Sequence, residues 1–252
     1  MRVRSFALTD IGRCRKNNED SYICDDDIQM YVVCDGVGAK EGGEVASANA
    51  VEETLGFVRR GRNVVRAYTE SPTVEALVAV RRLLESAVQH ACYMVYGMGE
   101  MEPIRRGMST TMSALLITRP AAFVAQVGDS RVYRVRQGET VQLTEDHTLF
   151  NYKLKMGMLT PEEIAQETDK HVITRAVGHR DYVQVDTCLV DVAPRDVFVL
   201  CSDGLHSYLD DGEVGAVLDE GPIEEAAIRF VSLANERGGQ DNITAVVVVT
   251  DE

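Results

Sequence analysis

No uninterrupted apolar run in these 252 residues exceeds six (Ala91–Tyr96), far short of the ~20 that a membrane-spanning helix needs. No apolar stretch follows the basic residues of the opening Met-Arg-Val-Arg-Ser-Phe-Ala-Leu-Thr-Asp. No secretory signal is therefore expected, and a cytoplasmic location is. Cys-x-x-Cys pairs are missing: Cys14, Cys24, Cys34, Cys92, Cys188 and Cys201 are scattered, which removes zinc-site spacing. Three of the six lie in strand-like apolar runs, and buried reduced thiols are the expectation for the set. Linkers, repeats and low-complexity tracts are also missing, so residues 1–252 read as one domain. Positive charge is scarce: 26 Lys+Arg against 40 Asp+Glu gives 26 − 40 = −14. Such a surface repels polyanions and argues against nucleic acid or anionic membrane as partners. An anionic substrate binds here only where positive charge is locally concentrated.

Apolar residues make up 45% of the chain and charged ones 26%, the profile of a globule with a sizeable core. Val45, Ala48, Val51, Leu55 and Val58 recur at helical spacing, and so do Leu77, Val80, Leu84, Val88, Ala91 and Val95. Ser71-Pro72 reads as the start of the second helix, and Thr160-Pro-Glu-Glu163 as a capping box. Another helix is expected after Gly221-Pro222. Short β-rich runs fill much of the rest: 30–34, 114–118, 121–127, 131–136, 183–192, 197–201 and 243–249. Turn-sized gaps such as Arg119-Pro120 and Gly128-Asp-Ser130 favour antiparallel hairpins. Strands grouped with strands and helices with helices give a layered α+β fold rather than an alternating parallel sheet.

The informative pattern is where the aspartates fall. Met30–Cys34 runs into Asp35-Gly36, Val197–Cys201 runs through Ser202 into Asp203-Gly204, and Ala125–Val127 leads to Gly128-Asp129. Asp241-Asn242 stands immediately before the last apolar strand, and Glu19-Asp20 precedes the first such strand. One Asp-Gly alone is a turn. Four carboxylates at the ends of central strands repel one another unless a cation neutralises them. Oxygen donors suit Mg²⁺ or Mn²⁺ rather than zinc. Two such ions about 4 Å apart can activate a bridging water and stabilise an in-line displacement at phosphorus. No Walker loop, Gly-x-Ser-x-Gly elbow or Ser-x-x-Lys motif offers another route. Asp25-Asp-Asp27 reads as a solvated turn, and the methionines 94, 98, 101, 108 and 112 read as core filler.

Nine motifs now carry a resemblance. In order they are Arg15-Lys-Asn-Asn-Glu-Asp20, Asp35-Gly-Val-Gly38, Gly43-Glu-Val-Ala-Ser47, Ser109-Thr-Thr111, Val127-Gly-Asp-Ser-Arg131, Leu143-Thr-Glu-Asp-His147, Ile173-Thr-Arg-Ala-Val-Gly178, Ser202-Asp-Gly-Leu205 and Gly238-Gly-Gln-Asp-Asn-Ile-Thr244. Together they resemble the metal-dependent serine/threonine protein phosphatases of type 2C, in their short bacterial form. The resemblance implies a four-layer αββα sandwich: two packed antiparallel sheets flanked by helices, with a flap at about 148–170 beside the active site. It implies hydrolysis of phosphoserine and phosphothreonine in a single step, by a water held between two Mn²⁺ or Mg²⁺ ions.

By the same resemblance Asp35 bridges the ions and the Gly36 carbonyl binds one of them. Asp203 and Asp241 complete the first ion, Asp20 holds the second with Glu19 close by, and Asp129 helps bind a looser third. Arg15 matches the phosphate-binding arginine and supplies the local positive charge, its guanidinium fork suiting phosphate oxygens. Val37 departs from the His of many animal members, leaving the general acid to a metal-bound water or to His147. Lys40 reads as a solvated lysine rather than a phosphate contact. The partners implied are phosphoproteins, including a Ser/Thr kinase whose signal the enzyme reverses. Two rivals are a pseudophosphatase that binds phosphoproteins without turnover, and a hydrolase of small phosphoesters. The full set Asp20, Asp35, Asp203 and Asp241 favours the phosphatase over the first.

Overall fold

The strands that read as unbroken apolar runs are buried on both faces, and this is what stacks the molecule in four layers. In the computed structural model, which describes residues 2–38, 42–160, 163–164, 171–210 and 212–251, the chain opens with β1 (Val3–Asp10), β2 (Asp20–Asp25) and β3 (Met30–Val37). Three helices follow: α1 (Gly43–Arg60), α2 (Arg62–Glu70) and α3 (Val74–Met101). Then come β4 (Ser109–Thr110), β5 (Met112–Ile117), β6 (Ala121–Val127), β7 (Arg131–Arg136), β8 (Glu139–Gln142) and α4 (Leu149–Lys155). The chain closes with β9 (Asp186–Asp191), β10 (Val197–Cys201), α5 (Asp203–His206), α6 (Glu213–Asp219), α7 (Ala226–Glu236) and β11 (Ile243–Thr250).

One sheet has the order β1-β11-β10-β7-β8 and the other β2-β3-β5-β6-β9, with β4 attached to β3. Every pairing is antiparallel. The expected α+β sandwich is what forms. Along β3, Tyr31 and Val33 face the other sheet while Met30, Val32 and Cys34 face α1 and α3. Along β11, Val246 and Val248 face inward while Ala245, Val247 and Val249 meet α7. Alternate side chains point to opposite faces of a strand, so a strand sandwiched between a sheet and helices loses its polar face. Only where it leaves the sandwich can a carboxylate appear.

Several local expectations shift. Helix α3 is capped by Thr73, whose hydroxyl accepts from the Ala76 amide at 3.2 Å, not by Ser71, which closes α2. In α1 the buried stripe keeps the predicted Val51, Leu55 and Val58, but in the first turns Ala46 and Ser47 are buried in place of Val45 and Ala48, small residues where the helix packs on β2 and β3. Strand β9 starts only at Asp186, since the Gln89 side chain takes both the N–H and the C=O of Val183 out of the ladder. Strands β1 and β2 and helix α2 were not foreseen. In the Asp25–Asp27 turn Asp26 and Asp27 are exposed as expected, whereas the Asp25 carboxylate, 7% exposed, accepts from the Asp27 and Ile28 amides and pairs with Arg59. Met108 and Met112 are core, whereas Met101 is exposed. All six cysteines are free; Cys34, Cys92 and Cys201 are buried and Cys14 is exposed. The Thr160–Glu163 box is present, each residue's side chain accepting from the other's amide, at 3.3 and 2.8 Å. The reading of Lys40 and the flap at 161–162 and 165–170 lie outside the described residues. Among those described, no helix is long and apolar enough to cross a membrane.

Candidate metal and phosphate site

The predicted carboxylates arrive from both sheets at one end of the sandwich. Asp20 at the start of β2 stands directly opposite Asp35 on β3, a cross-strand placement of like charges that is destabilising without a counter-ion. On the other sheet, Cys201 of β10 pairs with Ala245 of β11. The residues just beyond that pair, Asp203 and Asp241, are thereby brought side by side. Asp129 enters from the tight turn after β6, where Gly128 has φ +96° and a Cβ would lie 2.6 Å from a Thr111 methyl.

Close backbone approach holds the pieces together. A Cβ on Gly36 would fall 2.2 Å from the Gly43 carbonyl oxygen and 2.6 Å from that of Glu19. One on Gly204 would fall 2.0 Å from the Asn242 carbonyl oxygen. Neither position tolerates a side chain, so each glycine is required by packing as well as by any ligand role. Asn242 ties the β1–β2 loop to β11: its amide donates to the carbonyls of Ile11 and Asn17, at 3.0 and 2.9 Å, and its oxygen accepts from the Glu19 amide at 2.8 Å. Ser202 and Thr244 donate their hydroxyls to one oxygen of Asp20, at 2.7 and 2.6 Å.

The electrostatics are those of like charges buried together. Burial, opposed by the Thr244 and Ser202 hydrogen bonds and reinforced by Asp203 and Asp241, pushes Asp20 up to about 7. Burial and the charges of Asp20, Asp203 and Asp129 hold Asp35 well above the ordinary carboxylate range. Burial followed by Asp203 and Asp146 raises Asp129 to about 7, and burial raises Asp203 as well. Among the described residues, the second oxygen of Asp20 and one oxygen of Asp203 are buried with no hydrogen-bond partner. Buried polar atoms in native proteins are satisfied as a rule, and oxygen atoms grouped in this way fit a hard divalent cation. Among the described residues, the only cation hydrogen-bonded to one of these carboxylates is the half-exposed Arg15, whose Nη2 meets Asp241 Oδ2 at 2.5 Å.

Comparisons with known proteins place the chain in a family. A sequence model of the protein phosphatase 2C family matches residues 14–250. The protein phosphatase PhpP of Streptococcus pneumoniae is 34% identical over 249 residues, covering 97% of this chain and 96% of its own. The chain belongs to the protein phosphatase 2C family. The serine/threonine phosphatase stp of Listeria monocytogenes is 32% identical over 96% of this chain and 94% of its own. Among solved structures, the Mycobacterium tuberculosis phosphatase PstP/Ppp superposes with a TM-score of 0.84 at 30% identity, covering all of both chains. The PstP catalytic domain in complex with two manganese ions gives 0.82 at 30% identity, covering 99% of each chain. The chain is accordingly a metal-dependent serine/threonine protein phosphatase.

Two features of this phosphatase site are not legible in the sequence, and a third residue takes a different part from the one expected. Glu44, at the start of α1, leaves a buried carboxylate oxygen without a partner and, after burial itself, is the main charge raising Glu19. His171 stands beside Asp203, its Nδ1 3.8 Å from Asp203 Oδ2. His147, weighed as a proton donor, is buried in a network instead. Its Nδ1 accepts from the Gly128 amide at 3.1 Å while Nε2 meets Asp186 at 3.0 Å. Burial lowers its pKa, and its one N–H is committed to Asp186.

Proposed function

We propose that this phosphatase binds the phosphate of a phosphoserine or phosphothreonine side chain at the Asp20–Asp35–Asp203–Asp241 cluster and hydrolyses it with two Mn²⁺ or Mg²⁺ ions. Asp35 would be shared by both ions and the Gly36 carbonyl would serve one. Asp203 and Asp241 would hold the first, Asp20 the second with Glu19 nearby, and Asp129 a third. When bound, such ions activate water and take up charge that develops on the phosphoryl oxygens. The chain's own residues do the rest. Arg15 uses one of its five N–H donors on Asp241, and the remaining donors, directed from a half-exposed side chain, can take phosphate oxygens in pairs. Ser202 and Thr244 fix Asp20 from behind, so its free oxygen points to one task. Asn242 keeps the Arg15–Asp20 loop at the correct height over the cluster.

The observation that carries this reading is the pair of buried oxygens on Asp20 and Asp203 that have no partner among the described residues, since a divalent cation satisfies both while they stay ionised at neutral pH. A complete donor set also speaks against a fold retained without turnover. The enzyme is read as cytoplasmic, in keeping with six unpaired cysteines, and as the counterpart of a Ser/Thr kinase. The test is hydrolysis of a phosphothreonine peptide and of a nucleotide with Mn²⁺, with chelator, and by Asp203→Asn. Peptide turnover that requires Mn²⁺ and Asp203 supports the reading, and turnover of the nucleotide alone sinks it.

A further inference from the structure

The corner of the site around Asp129 holds a donor that no carboxylate pattern announces. One oxygen of Asp129, one oxygen of Asp203 and a ring nitrogen of His171 lie within 4.8 Å of one another. Asp129 is only 4% exposed. Asp203 presents Oδ2 to His171 Nδ1 at 3.8 Å, and its Oδ1 is buried with no hydrogen-bond partner among the described residues. His171 is not carried there by a loose strand end. The Leu149 amide donates to Val172 O at 2.8 Å, the Thr174 amide donates to His147 O at 2.7 Å, and Thr148 bridges Ile173. The imidazole thus rests on an anchored segment and borders two hollows of about 520 and 470 Å³. Both hollows are lined by His171, the first also by Asp129 and the second also by Asp203.

We infer that His171 is a nitrogen ligand of the divalent ion held between Asp129 and Asp203. The inference rests on the proposal that Asp129 binds a further ion and adds a ligand to it. It also sets a preference. Mg²⁺ keeps to oxygen donors, whereas imidazole suits transition metals, so this corner takes Mn²⁺ in preference to Mg²⁺ while the all-oxygen cluster beside it accepts either.

The test uses the full chain and Mn²⁺ alone. Pulsed electron paramagnetic resonance of the Mn²⁺-saturated protein is expected to show the modulation of a directly bound imidazole ¹⁴N, absent from His171→Asn. Calorimetric titration is expected to show one class of Mn²⁺ site weakened roughly 10-fold or more in His171→Asn, as loss of a supporting or ligating group at a metal site does. Mg²⁺ binding should change less than about 3-fold by the same donor argument. Because the His171 side chain is 61% exposed, the chelated variant should keep the wild-type melting temperature, which separates loss of a ligand from loss of fold. A Mn²⁺ site that disappears in Asp129→Asn but shows no nitrogen modulation in the wild type overturns the assignment of His171 and leaves the wider reading intact. A wild type in which Asp129→Asn removes no site overturns the third-ion reading as well.

Discussion

Replacing Asp20 by Asn should make the metal-free protein more stable, and increasingly so as pH rises. The reason lies in how this carboxylate is buried. Its folded pKa is about 7 against an ordinary 3.8, with burial the leading cause. A group whose folded pKa is raised lends stability below its unfolded pKa and loses it as pH climbs toward the folded value. Between pH 5 and pH 7 the unfolded chain carries Asp20 ionised while the folded chain must still protonate it. At about 1.4 kcal/mol per pH unit, the folded state therefore loses roughly 2–3 kcal/mol over that span. Asn removes the ionisation, and its oxygen can still accept from Ser202 and Thr244. At 2–4 °C per kcal/mol for a chain of this size, the melting temperature of the variant should overtake that of the wild type by about 5–10 °C between pH 5 and pH 8.

The readout is the difference between the two proteins in chelator, because other groups titrate in both. His206, lowered to about 4 by burial and Arg131, raises the stability of both proteins as pH rises to 6.5 and partly masks the aspartates in either melt taken alone, but cancels in the difference. Thermal melts at pH 5, 6, 7 and 8 would show the divergence. Added Mn²⁺ should reverse the order, stabilising the wild type far more than the variant. A difference that stays flat with pH, or a variant that melts below the wild type in chelator at pH 8, refutes the reasoning.

Arg15→Ala should lower kcat/KM for a phosphothreonine peptide by about 10- to 100-fold, as loss of a charge-assisted contact worth 1.5–3 kcal/mol implies. Steady-state kinetics check this, and unchanged kcat/KM would remove Arg15 from phosphate binding. Phe198→Ala, at a fully buried position between the sheets, should cost about 3–5 kcal/mol in urea unfolding. His147→Ala should destabilise by about 1–3 kcal/mol through loss of its bonds to Gly128 and Asp186. The basic limb of the kcat–pH profile should stay where it is, since the ring has no proton to lend.

Much of this fold and site can be read from the residues alone, for a physical reason. Strands buried on both faces must be apolar throughout, so the aspartates where they end stand out, as Asp35, Asp129, Asp203 and Asp241 do. The order of layers follows from the same runs. Other features depend on partners far away in the chain. Nothing local marks Asp20 as the register partner of Asp35, because β2 (Asp20–Asp25) mixes polar and apolar residues at a sheet edge. Asn242 sits in a common turn-like dipeptide, and only its reach to Ile11, Asn17 and Glu19 shows it to be a clamp. His171 follows a stretch with little periodicity and gains meaning only from its nearness to Asp203. Thr73 and Ser71 are equally good caps by residue type, and the hydroxyl that meets the Ala76 amide decides between them.

Crystals soaked in Mn²⁺ and measured at the manganese absorption edge address the central claim most directly. Anomalous peaks should appear between Asp20, Asp35, Asp203 and Asp241, and they should vanish in Asp35→Asn along with phosphopeptide hydrolysis. Full hydrolysis after exhaustive chelation, or Mn²⁺-soaked wild-type crystals with no peak within reach of these carboxylates, would contradict it.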